Sequence, residues 1–238
     1  MSASADQPAK RWGAAWPDAL AFAGGLALAW FARWQTADLV WSLWLSSLMV
    51  GFAMIFWMVT APWRETMTTA WRDATPGTGW AKLGVGAIMG VGSLLALAFF
   101  AVHFGGFHYV HSVFLNHFFP IESGAKVKGF PGPAIYLEVL RRYWMFVPLA
   151  FMAERQAFRK RPPDDGAVTP AAIAQRKARG EPMMEPYRNV IRMHLLIFFF
   201  AFAHFARLEN FATYAVVYAA YFFPWRLLQR PPPLSYNV

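Results

Sequence analysis

Residues 83–119 read Leu83-Gly-Val-Gly-Ala-Ile-Met-Gly-Val-Gly-Ser-Leu-Leu-Ala-Leu-Ala-Phe-Phe-Ala-Val-His103-Phe-Gly-Gly-Phe-His108-Tyr-Val-His111-Ser-Val-Phe-Leu-Asn-His117-Phe-Phe119, with no Asp, Glu, Lys or Arg among them. As one straight helix this run would be about 55 Å long, while a bilayer's hydrocarbon core is about 30 Å thick. The reading that fits both figures is a span over 83–102, a break at Gly105-Gly106, and a short helix over 107–119. That helix would lie in the outer interface or re-enter the bundle.

The rest of the chain has the same character. Of its 238 residues 57% are hydrophobic and 15% charged, against about 45–50% and about 25% in an ordinary soluble domain. The composition predicts an all-α, polytopic transmembrane helix bundle in a single membrane domain, 1–238. Five further spans follow from apolar runs of sufficient length: 17–32, 39–61 (stopping at Pro62), 133–152, 190–206 and 210–225. The last two are split by Arg207-Leu208-Glu209. A single helix over both would bury those charges near its middle, so a hairpin is preferred, with Asn210 as N-cap. The first span resembles a signal peptide in its Lys10-Arg11 flank, but it is read as an uncleaved anchor.

Charge orients this topology. With both termini in the cytoplasm, 16 of the 22 Lys and Arg fall inside and four (Arg33, Lys126, Lys128, Arg207) outside. Arg141 and Arg142 lie within the fourth span. That asymmetry is the positive-inside pattern, and Trp12, Trp16, Trp34, Trp41, Trp63, Trp80 and Trp225 near the span ends supply an aromatic belt. The expected location is a membrane crossed several times, with the lipid bilayer and other membrane subunits as partners. The formal charge of +9 is thereby assigned to topology, and no nucleic-acid partner is expected. The cytoplasmic loop, 159–188, is either a solvated basic segment or contains a surface helix over 170–179 that touches anionic headgroups. In the third span Gly86 and Gly90 form a Gly-x-x-x-Gly pair suited to close helix packing, within the chain or with a partner.

Two groups of residues carry candidate chemistry. Four of the six histidines fall within 103–117. His108 and His111 are three apart and share a helix face. His103 can fold toward them across the expected break, and His204 approaches from the fifth span, with Glu138 or Glu209 as further ligands. Imidazole and carboxylate suit a transition metal, and two opposed His suit haem. An iron–sulfur cluster held by Cys is excluded, since Cys is zero. The bland alternative is interfacial His bonded to headgroups, water or carbonyls, the reading given to His117.

The second group is Glu138, Arg141 and Arg142, placed inside the fourth span with Arg141 near mid-membrane. A central Arg costs about 2.5–3.5 kcal/mol on insertion scales. Glu138 can neutralise one Arg at helical spacing. The excess cation would meet Glu209, a lipid phosphate, a quinone oxygen or an anionic substrate, or it would snorkel.

The run His103-Phe-Gly-Gly-Phe-His-Tyr-Val-His111 resembles the hallmark His-Phe-Gly-x-Phe-x-x-x-His of an uncharacterised family of small bacterial multi-pass membrane proteins. The stretch Pro186-Tyr-Arg-Asn-Val-Ile-Arg-Met-His194 is similar to that family's second motif. The resemblance implies a bacterial inner-membrane protein and brings no activity with it. Phe200-x-x-x-His204 also resembles one motif of intramembrane metal-dependent proteases, but their double-Glu motif is missing and Glu154 stands beside Arg155. No Gly-x-Ser-x-Gly nucleophile motif occurs. The sequence therefore leans away from an enzyme. Transition-metal or haem handling comes first, then a non-catalytic subunit or assembly factor of a larger membrane complex, then a small anion transporter or intramembrane enzyme.

Overall fold

The computed structural model describes residues 7–72, 79–121, 130–158 and individual positions between 191 and 219. These described residues are all-helical. In chain order the elements are α1 (Gln7–Phe31), α2 (Thr36–Arg72), α3 (Gly79–Phe118), α4 (Pro133–Tyr143), a 3-10 turn (Trp144–Phe146), α5 (Val147–Ala153) and a second 3-10 turn (Arg155–Phe158). Two helices, α2 over Thr36–Ala61 and α3, are long and apolar enough to cross a membrane.

The largest correction is at Gly105-Gly106. No break occurs there, and α3 runs unbroken for 40 residues, about 60 Å. The short helix expected at 107–119 is its C-terminal end. Two mid-helix glycines cost about 1 kcal/mol each relative to Ala, but the packed face continues across them: Phe104, His108, His111, Ser112 and Leu115 are all buried.

α2 is likewise longer than its apolar run. It begins at Thr36, and it passes the expected stop at Pro62 to reach Arg72. A proline inside a helix costs one backbone bond and some bending, and the contact with antiparallel α3 outweighs it. Trp63 Nε1 donates to the Gly86 carbonyl at 3.1 Å, and Ser93 Oγ to the Val59 carbonyl at 3.2 Å. Gly86 lies under the Met67 side chain, and Gly90 faces the Trp63 indole. The Gly-x-x-x-Gly pair therefore packs within the chain, against α2. Higher up, a Cβ at Gly51 would overlap the Phe104 ring, so this glycine admits the aromatic that anchors the middle of α3.

α1 starts ten residues before the expected span, at Gln7, and passes through Pro17. It ends in a Schellman turn. Arg33 N–H donates to the Trp30 carbonyl, and Trp34 N–H to the Ala29 carbonyl, with Arg33 at φ 52°. α2 then begins with half of a capping box, Asp38 Oδ2 accepting from Gln35 N–H at 2.8 Å.

The expected span 133–152 is not one helix. Pro148 has no N–H to give the Trp144 carbonyl and would crowd it, so the chain tightens into the 3-10 turn, with Tyr143 at φ −117°, ψ 3°, before α5 begins. α4 covers 11 residues and α5 seven. α5 packs on α1: Leu149 lies over Gly24, and Arg155 forms an ion pair with Asp18. The expected loop 159–188 lies outside the described residues. In the expected spans 190–206 and 210–225, Ile191, Leu195, Phe198, Phe202, Ala215 and Tyr218 are helical, and Tyr218 is buried against Phe22 and Phe146. Six spanning helices are thus not what the described residues display; they display an all-helical chain with two helices of spanning length.

Candidate functional site

The C-terminal half of α3 meets α2 and α4 along a seam of polar and aromatic side chains. Period 3.6 places His108, His111, Ser112 and Leu115 on one stripe. The facing stripe of α2 carries Trp41, Trp44 and Ser47, and α4 contributes Tyr136 and Tyr143. Trp44 Nε1 donates to the His108 carbonyl at 2.9 Å, and Trp41 Nε1 to the Phe119 carbonyl at 2.8 Å. Each indole thereby satisfies its one donor, Trp44 on a carbonyl of α3 and Trp41 on the carbonyl just past its end.

His108 is fully enclosed. Its Nδ1 is 3.0 Å from the Phe104 carbonyl oxygen and its Nε2 is 3.3 Å from Ser47 Oγ. A carbonyl only accepts, so Nδ1 carries the proton and Nε2 accepts from the serine hydroxyl. The ring also packs on Phe104, with centroids 4.4 Å apart. His111, also buried, lies 6.1 Å from His108, ring centroid to ring centroid, at 78°. Ser112 Oγ is 2.6 Å from the Tyr109 carbonyl and 2.7 Å from the Tyr136 hydroxyl. Tyr136 stacks on Trp44 at 5.7 Å. At the end of the seam Tyr143 donates to Asp38 Oδ1 at 2.8 Å, and Trp34 meets its ring edge-on at 5.5 Å.

Of the histidines expected to converge, the structure joins two. Continuity of α3 turns His103 to the exposed side, where it stacks on Phe99 at 5.5 Å and meets Phe107 edge-on. His103 precedes His108 by five residues, about 140° around the helix, and only the expected break could have swung it back. His204 and Glu209 lie outside the described residues. Among the described residues no group of three His, Asp or Glu is placed to hold a metal ion. His117 is exposed at the end of α3 and packs edge-on against Phe118.

The charged trio divides. Arg142 Nε donates to Glu138 Oε1 at 2.6 Å, and Arg141 points outward. Because the neighbouring Tyr143 reaches Asp38 in the first turn of α2, both arginines stand at the end of α2, not beside its middle.

Sequence reasoning missed Asp38, Trp44, Ser47, Tyr136 and Tyr143. The signal was present for some. Ser42, Ser46 and Ser47 interrupt an otherwise apolar run, and Tyr136 and Tyr143 are seven apart, which puts them on one helix face. Nothing in the sequence pairs Asp38 with Tyr143, 105 positions away.

Fold and seam together define an all-helical protein with two helices of membrane-spanning length and a buried polar–aromatic contact between α2, α3 and α4. The chain belongs to the family of unknown function DUF6498, whose model matches residues 7–221. Comparison with curated proteins and with solved structures gave no match.

Proposed function

We propose that this is an integral protein of a bacterial inner membrane, with further spans in its C-terminal third and cytoplasmic termini, acting as a non-catalytic subunit or assembly factor of a larger membrane complex. The observation that carries the reading is the bareness of α3. In its most apolar eighteen residues only 6% are buried, against 67% for α2. Leu83, Ile88, Val91, Leu94, Leu95, Phe99 and Val102 are all exposed. Water would not tolerate such a surface on a monomer; lipid and partner helices both would. Gly84 and Gly92, with open space around them, and the aromatic bulk of the same helix suit helix–helix association in lipid, and the seam, with Trp41, Trp44, His108 and Ser112 hydrogen-bonded inward, supplies a platform. Counted on the six-span topology expected from the sequence, 16 basic residues lie inside and four outside, the pattern that favours this orientation.

The test is site-specific photo-crosslinking from Leu95 and, as control, from buried Leu115 in intact membranes. Discrete heavier adducts from Leu95 alone are expected. Uniformly lipid-linked monomer from Leu95 would overturn the subunit reading.

A second reading, transition-metal or haem binding, is favoured by one observation: His108 and His111 share a buried face 6.1 Å apart. His204 and Glu138 or Glu209 would have to complete the set, and Ser47 would have to release Nε2 of His108. Elemental analysis and a visible spectrum of the purified protein decide it. Neither metal nor a haem band, with His111→Ala unchanged in both, ends that reading.

A further inference from the structure

We propose that Arg33 and Arg141 each bind an anionic phospholipid headgroup through its phosphate at the end of the bundle where the α1–α2 turn meets α4. This rests on the reading of the chain as an integral membrane protein.

The contact between Trp34 and Tyr143 joins those two elements. Arg33 immediately precedes Trp34, and Arg141 lies two residues before Tyr143. Both arginines are exposed, and among the described residues neither guanidinium has a carboxylate partner. The acidic groups described nearby are already committed. Glu138 pairs with Arg142, and Asp38 accepts from the Tyr143 hydroxyl with one oxygen and from Gln35 N–H with the other. Two cations are therefore left over at one end of the molecule.

Their surroundings identify the anion. Phe31 is 82% exposed, Trp30 60%, Leu137 58% and Trp144 56%. Leu137, Leu140 and Arg141 are exposed on α4, and exposed Trp144 follows in the 3-10 turn, so an exposed guanidinium stands within exposed apolar surface. A soluble anion gives no use to that apolar surface. A phospholipid uses both: phosphate oxygens take the planar N–H fork of arginine, and acyl chains cover the Leu and Trp side chains while the indoles sit at headgroup level. The other side of α4 is buried through Ile135, Val139 and Tyr143, so the helix is amphipathic by environment, as expected of one lying in the interface. Arg33 also occupies a left-handed position, φ 52°, at the helix-ending site where glycine is the usual residue.

The experiment uses the full-length protein, delipidated and reconstituted with phosphatidylcholine alone or mixed with phosphatidylglycerol, and reads retained lipid by native mass spectrometry. Phosphatidylglycerol is expected to be retained preferentially, with Arg33→Gln and Arg141→Gln each weakening the preference about fivefold and Arg141→Lys restoring part of it. An unchanged preference in the Arg33→Gln/Arg141→Gln double variant would overturn the proposal. Loss of bound phosphatidylglycerol to inorganic phosphate in micelles would overturn it in favour of a soluble-anion site. Release of the wild-type chain from membranes by alkaline carbonate would overturn the membrane reading itself. Retention there, with lipid preference unchanged in the variants, would remove the lipid site alone.

Discussion

α3 is one uninterrupted helix with two different halves. From Gly79 to Val102 it is apolar nearly all round and mostly bare, touching α2 through Gly86, Gly90 and Ser93. From Phe104 to Phe118 it carries His, Ser and Asn, yet it is the better-covered half, with five buried residues on one face beyond Val102 and the contacts to Trp44, Ser47 and Tyr136. The more polar half is the one inside the protein. In a bilayer this is the expected distribution. Lipid is as good a solvent for Leu as a protein core is, so apolar surface alone does not draw helices together. Directed hydrogen bonds and close approach at small residues do.

Substitutions of equal size on the two halves should therefore differ. The largest effect is expected from Gly51→Val, which drives a branched side chain into the Phe104 ring. A loss of about 3 kcal/mol should appear in detergent-titrated unfolding, and an unchanged midpoint would mean that Phe104 does not anchor α3. Tyr143→Phe removes a bond to the Asp38 carboxylate and should cost about 1.5–3 kcal/mol; Asp38→Asn should recover part of this in the double variant, since the uncompensated acceptor is then neutral. Trp44→Phe keeps an aromatic against Tyr136 but loses the bond to the His108 carbonyl, for about 1 kcal/mol, with faster amide exchange expected in the last turns of α3. The smallest effect belongs to the bare half. Gly92 has open space around it, so Gly92→Ala should raise the stability of the isolated chain by about 0.5–1 kcal/mol. A loss on the same change in native membranes, but not in the purified monomer, would show a partner seated there.

Much of the helical character was legible. Apolar runs located α2 and α3, and the bend between α1 and α2 follows from the polar residues after Phe31. The ends were not legible, because a helix ends where its packing ends. α2 passes Pro62 and α3 passes Gly105-Gly106, since the neighbouring helix contributes more than one proline or two glycines remove. The reverse happened at 133–152, where a run long enough to span is divided by the geometry Pro148 imposes four residues upstream. For the site, the sequence singled out His108 and His111 as sharing a face, and they do. It also grouped His103 with them, which required a break the helix does not make.

Composition and charge by themselves determined an apolar chain, poor in charge, with no thiol chemistry and a net charge of +9, because these are sums over side chains and need no partner. Only the tertiary structure decided which histidines turn inward, which arginine Glu138 neutralises and which is left over, and that Asp38 answers Tyr143 across the bundle. Those outcomes depend on helix rotation and on where each helix bends, and both are set by the neighbouring helix rather than by the helix's own residues.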